Sequence, residues 1–121
     1  MGKSFILIAL GFLLTSCNLT AQLVGGGQKF TYTETYTLQG DAHSFTTTFT
    51  LIDGKVAELT FEPGATTPSE HGEQLAFFAN IRRHVLGKTP AEIILPNEIG
   101  EASAELIGAF GEAVTKLRES R

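Results

Sequence analysis

Between residues 29 and 62 the chain alternates, and that alternation restricts its fold more than any other feature. In KFTYTETYTLQ (residues 29–39), Phe30, Tyr32, Tyr36 and Leu38 fall on one side with Glu34, while Thr31, Thr33, Thr35 and Thr37 fall on the other. A period of two, built from threonine and aromatic residues, is the pattern of a half-buried β-strand. HSFTTTFTLI (residues 43–52) repeats it, with Phe45, Phe49 and Leu51 opposite Thr46, Thr48 and Thr50. Gly40-Asp41 marks a turn, and Asp53-Gly54 suits the positive φ angles of a type I′ hairpin. The return strand KVAELTFE (residues 55–62) is expected to set Ala57, Leu59 and Phe61 on one face against Val56, Glu58, Thr60 and Glu62. Three antiparallel strands with one aromatic face require a cover.

The second half of the chain supplies it. Pro63-Gly64 ends the last strand, and Thr67-Pro68-Ser69-Glu70 reads as a helix start with a capping box and proline at the first helical position. The helix is expected to run to Leu86, bringing Leu75, Phe78 and Ala79 alongside Phe77, Ile81 and Val85, with Gly87 beyond its end. Thr89-Pro90-Ala91-Glu92 repeats the start signal, but Pro96 limits it to a short turn or a loop. A final helix begins near Ser103 and carries an apolar stripe of Leu106, Ala109, Phe110, Ala113, Val114 and Leu117. The expected fold is α+β: an antiparallel β-meander of three or more strands covered on one face by two α-helices. Phe30, Phe45, Phe49, Phe61 and Phe110 are its expected core.

The N-terminus carries an address. Lys3 precedes a ten-residue apolar run, Phe5 to Leu14, about half of what a membrane-crossing helix requires. The run suits the core of a secretory signal. It ends in Leu14-Thr15-Ser16-Cys17, which resembles the lipobox of bacterial lipoproteins, and Cys17 is the single cysteine of 121 residues. The resemblance implies a signal peptide at residues 1–16, a diacylglycerol thioether on Cys17, and acylation of the new amino terminus by a chain such as palmitate. Two or three acyl chains anchor stably, at ~0.8 kcal/mol per buried methylene. The expected location is the cell envelope, outside the cytoplasm and attached to a membrane through Cys17. Residues 17–28, with Gly25-Gly26-Gly27, read as a flexible tether to a single domain at residues 29–121.

Composition excludes several function classes. The net charge is −4, and cleavage would remove Lys3 and no acid. A mildly acidic chain without a basic cluster does not suit nucleic acid. One cysteine excludes an internal disulfide and any multi-cysteine metal site. No Gly-x-Ser-x-Gly elbow is present. His71 and His84, thirteen residues apart on one helix, project about 140° apart around its axis and do not converge. Glu58 and Glu62, on one strand face with Thr60 between them, form a pair for acid–base chemistry or an ordinary solvated surface. Arg82-Arg83-His84 is a small basic patch. The junction Glu62-Pro63-Gly64-Ala65-Thr66-Thr67-Pro68 combines small residues and hydroxyls at a helix N-terminus, where free amides and the helix dipole favour anions. Gly100-Glu101-Ala102-Ser103-Ala104 forms a second junction of this kind.

From Tyr36 to Arg118 the chain resembles the small FMN-binding domains of bacterial envelope proteins, including the flavin-carrying subunits of ion-translocating NADH:quinone and Rnf-type complexes. The resemblance rests on Leu51-Ile52-Asp53-Gly54-Lys55-Val56, on Pro63-Gly64-Ala65-Thr66-Thr67 with its helix, and on the closing helix from Gly100 to Leu117. Flavinylated members open the last helix with Ser/Thr-Gly-Ala-Ser/Thr, whose final hydroxyl carries FMN as a phosphoester. Here Ser103 takes that place in order along the chain, preceded by Glu101-Ala102 in place of Gly-Ala. The resemblance implies FMN as cofactor, contacted by Ser103 or by Thr66 with Gly64, Ala65 and Thr67, and electron transfer to an envelope redox partner. A flavin-free interaction module is the alternative, holding a partner protein on Thr46, Thr48 and Thr50 or along an open sheet edge. Neither reading requires a stand-alone enzyme.

Overall fold

A computed structural model describes residues 21–24 and 27–120. Residues 1–20, which hold the expected signal peptide and Cys17, lie outside the described residues. The fold is α+β. Its strands are β1 (Ala21–Val24), β2 (Gly27–Leu38), β3 (Asp41–Ile52) and β4 (Lys55–Pro63), followed by helix α1 (Pro68–Val85), a 3-10 turn (Pro90–Glu92) and helix α2 (Ala104–Glu119). The strands form one antiparallel sheet in the order β1-β2-β3-β4.

Both long hairpins close through two residues of positive φ, Gln39-Gly40 and Asp53-Gly54. This is the primed-turn geometry that matches strand twist. β1 departs from the expected tether: Ala21–Val24 pairs with Gly27–Phe30, Ala21 opposite Phe30 and Val24 opposite Gly27. The sheet therefore reaches back through most of the expected linker, which loses its spacer character once its backbone joins a ladder. No helix of the described residues is long and apolar enough to cross a membrane.

The helices cover one face, α2 over β2 and α1 over β4. Phe45, Phe49, Leu59, Phe77, Ile81, Phe110 and Leu117 are fully enclosed between sheet and helices. Their aromatic rings chain together: Phe61 stacks between Phe45 and Phe78 (centroids at 4.9 and 5.1 Å), and Phe110 meets Phe49 and Phe77 (5.9 and 5.5 Å). Such pairs contribute about 0.5–1.5 kcal/mol each beyond area burial. Phe61 itself is only half-buried, at the margin of the core where Arg82 caps its neighbour Phe78 by a cation–π contact of 5.6 Å.

Two expected faces are corrected. Thr50 pairs with Glu58 and Leu51 with Val56, so Ala57 is the extra residue of a β-bulge. The bulge shifts the phase of β4, and Val56 is buried while Ala57 is exposed. On α1 the inward stripe is Glu70, Gln74, Phe77, Ile81 and Val85, leaving Leu75 and Ala79 exposed. The stripe of α2 is buried as the spacing requires, from Leu106 to Leu117.

Candidate functional site

The starts of the two helices gather the expected site residues. At α1, Thr67 is the N-cap: its hydroxyl accepts from the Glu70 backbone N–H at 3.2 Å. Glu70 does not complete the capping box. Its carboxylate turns inward and accepts from the Tyr36 hydroxyl at 2.5 Å, and the Gln74 side-chain N–H donates to that hydroxyl at 3.0 Å and to the Ser44 carbonyl at 3.2 Å. Tyr36, Glu70 and Gln74 are all buried, and the side-chain oxygen of Gln74 has no partner among the described residues. Burial, and then the adjoining Glu70 carboxylate, push the Tyr36 hydroxyl far above the ordinary tyrosine range. It is a fixed donor at any ordinary pH, which suits a structural clasp and not a proton shuttle.

His43 stands beside this clasp. It is buried, its ring lies 5.2 Å from that of Tyr36, and its Nδ1 shares a 2.9 Å hydrogen bond with the Thr66 hydroxyl. The Gly64 N–H donates to the Ser44 carbonyl and the Ala65 N–H to the Ser44 hydroxyl. A Cβ on Gly64 would meet the Ser44 Oγ at 2.3 Å, so glycine is required by that close approach. The junction that reads as a phosphate cradle has thus turned its donors onto Ser44 and its Thr66 hydroxyl onto His43. The hollow of about 330 Å³ outside it is lined by Leu38, Gln39, Asp41, His43, Thr67, Ser69 and Glu70.

At α2, Ser103 is the N-cap, its hydroxyl accepting from the Leu106 N–H at 3.1 Å. Beside it lies a hollow of about 270 Å³, lined by Glu73, Ala76, Phe77, Asn80, Ile99, Gly100, Glu101 and Ala102. Neither Thr66 nor Ser103 itself lines these hollows; their chain neighbours Thr67 and Ala102 do, each in a different one.

These observations test the fit of a flavin. Each hollow is lined by two carboxylates and by no lysine or arginine. A phosphate carries about −1.5 to −2 at neutral pH, and a helix N-terminus returns only about +0.5. The Gly64 and Ala65 amides are spent on Ser44, and the Thr66 hydroxyl is paired with His43. Phe77, the aromatic residue beside Ser103, is 1% exposed and has no open face for an isoalloxazine ring. The residues present do not fit FMN.

The remaining candidates are dispersed. Glu58 and Glu62 project from the uncovered sheet face, opposite Thr50 and Thr46. His71 is exposed, His84 half-buried and His43 enclosed, and among the described residues no three His, Cys, Asp or Glu side chains group to hold a metal. The uncovered face presents Thr31, Thr48 and Thr60 in one row and Thr33, Thr46 and Glu62 in the next, with Thr31–Thr48 and Thr33–Thr46 hydroxyl pairs at 2.9 Å. Sequence reasoning missed the Tyr36–Glu70–Gln74 clasp, although one signal for it is legible: Glu70 and Gln74 precede Phe77, Ile81 and Val85 at helical spacing. No family model matches the chain, and no match was found among curated proteins or among solved structures.

Proposed function

We propose that this protein is a lipid-anchored component of the bacterial cell envelope, acylated at Cys17, whose domain is a flavin-free interaction module. The observation that carries the second half is the closed junction before α1, where the Gly64 and Ala65 amides donate to Ser44 and the Thr66 hydroxyl pairs with His43, together with hollows lined by two carboxylates each and by no lysine or arginine. The surface this leaves is the threonine face of the sheet, where hydroxyl rows flanked by Glu58 and Glu62 offer polar contacts to a partner protein. The lipobox and the single cysteine support the anchor.

The test combines three measurements on the full chain. Radiolabelled fatty acid is expected to enter the wild type and not Cys17→Ala. Added FMN is expected to leave the melting temperature unchanged. A photo-crosslinking residue at Thr48 is expected to trap an envelope protein that the same residue at Ala79, on the exposed side of α1, does not trap. Identical products from both positions, or none from Thr48, would remove the interaction face; a flavin-coloured wild type would remove the flavin-free reading.

A further inference from the structure

The two margins of the sheet are finished differently. At the start of β4, the Val56 N–H donates to the Lys88 carbonyl and its carbonyl accepts from the Gly87 N–H, so the chain covers that margin itself. β2 pairs with β3 from Gln28 to Leu38, but on its outer side β1 covers only Gly27–Phe30. The hairpin through Gln39-Gly40 makes Leu38 and Asp41 a hydrogen-bonded pair, so the even-numbered residues of β2 turn their backbone groups to β3. The odd-numbered residues turn theirs outward. Lys29 meets β1, whereas the outward amides and carbonyls of Thr31, Thr33, Thr35 and Thr37 meet no backbone partner among the described residues. All four threonines are exposed. From Thr31 to Leu38 the sequence has no lysine, arginine or proline, the residues that blunt an open edge. The one charge of that stretch, Glu34, is buried and paired with Lys116.

We propose that this open edge of β2 is where a second copy of the chain pairs, strand to strand, joining two four-stranded sheets into one. The edge complements itself. A contact about a two-fold axis sets the same strand of both copies side by side and antiparallel, and outward residues then pair with outward residues. Between Thr31 and Thr37 all of these are threonine, so each such register sets threonine against threonine. Ala21 fills the place opposite Phe30, and the register centred on Thr35 lies clear of it. There Thr33 falls opposite Thr37 of the second copy, and Thr35 opposite Thr35. This ladder holds about six backbone hydrogen bonds. On the covered face it sets Glu34 opposite Tyr36 and not opposite a second Glu34. With Glu34 neutralised by Lys116, the two edges meet without like-charge repulsion. Threonine and tyrosine also have the β-propensity for such a contact. Pairing at this edge needs neither the lipid anchor nor a partner on the threonine face.

The experiment uses the full chain in the membranes of the cells that make it, with the wild type reporting any dimer formed through Cys17. Thr35→Cys places a thiol on the two-fold axis. Thr60→Cys places one on the same sheet face but on β4, where it is equally exposed. Under a mild oxidant, Thr35→Cys is expected to give a disulfide-linked homodimer on a non-reducing gel about tenfold faster than Thr60→Cys, because pairing raises the effective concentration of its thiol. A second arm adds Thr33→Lys/Thr37→Lys to Thr35→Cys. This sets lysine opposite lysine across the proposed ladder and touches no backbone bond between β2 and β3, and the homodimer is expected to form about tenfold more slowly. Circular dichroism of the purified variants verifies the fold. Equal rates from Thr35→Cys and Thr60→Cys, or no homodimer from Thr35→Cys, would overturn pairing at this edge. So would a product with an unrelated chain in place of the homodimer, or a rate unmoved by the two lysines.

Discussion

Tyr36 is held at one atom by two partners on α1, so that strand and helix are joined there. Removing its hydroxyl leaves the Glu70 carboxylate enclosed without its donor, and an unsatisfied buried acceptor costs about 1–3 kcal/mol, more when charged. Tyr36→Phe is therefore expected to lower stability by about 2–3 kcal/mol in urea unfolding. The same group sets an alkaline dependence. Its folded pKa lies above its unfolded value of about 10, so its contribution is whole below that pH and is lost as pH rises beyond it. The slope is up to about 1.4 kcal/mol per pH unit. Urea midpoints taken from pH 9 to 11 are expected to fall more steeply for the wild type than for Tyr36→Phe; parallel curves would refute the assignment. A second joint lies between Glu34, 7% exposed, and Lys116 of α2, whose ammonium donates to it at 2.9 Å. Breaking such a pair from one side strands a charge, whereas removing both partners does not. Lys116→Met is expected to destabilise more than the Glu34→Gln/Lys116→Met double variant, a difference a double-mutant cycle measures directly.

At the scale of elements, β4 carries a test of phase. Period-two reading puts Ala57 inward, yet the bulge buries Val56 instead. Val56→Ala is expected to cost about 1–3 kcal/mol as a core deletion, while Ala57→Ser stays within about 0.5 kcal/mol as a surface change. Equal costs would mean that the strand keeps strict alternation. A related test lies where β4 passes into α1. Gly64→Ala drives a Cβ against the Ser44 hydroxyl, and Ser44→Ala in the same chain removes that obstacle; the double variant is expected to recover part of the lost stability. These positions also show what the sequence made legible. β2 and β3 follow their alternation because one face is buried along their length, except that Thr50, expected on the open face with Thr46 and Thr48, is buried, and α2 follows its stripe from Leu106 to Leu117. Thr67 and Ser103 cap as their residue types require. The bulge was hidden because it is a local offset between two strands, and no pattern within one strand encodes it. The inward side of α1 was hidden because Gln74 and Glu70 are buried by partners on β2, more than thirty residues away. The hydroxyls of the flavin-like junctions were legible as residue types, but their partners, His43 for Thr66 and the helix backbone for Ser103, exist only in the folded chain.

At the scale of the whole molecule, the fold separates an aromatic interior from a polar sheet face, and the second of these is the surface on which the proposed function depends. The connection between the expected anchor and that fold is short. If Cys17 carries the lipid, only residues 18–20 precede β1, a span of at most about 14 Å when fully extended. A flexible tether of a dozen residues would let the domain range freely; a strand that begins at Ala21 holds it close to the bilayer. The two arrangements also differ in stability. β1 contributes a short ladder against Gly27–Phe30, and each backbone hydrogen bond contributes about 0.5–1.5 kcal/mol net. A soluble chain beginning at residue 27 is therefore expected to unfold at lower urea than one beginning at residue 18, by about 1–3 kcal/mol. The amide of Lys29, which faces β1 across that ladder, is expected to exchange faster once it is removed. If the two chains unfold at the same denaturant concentration, residues 21–24 contribute nothing to the sheet, and the domain hangs from a free linker after all.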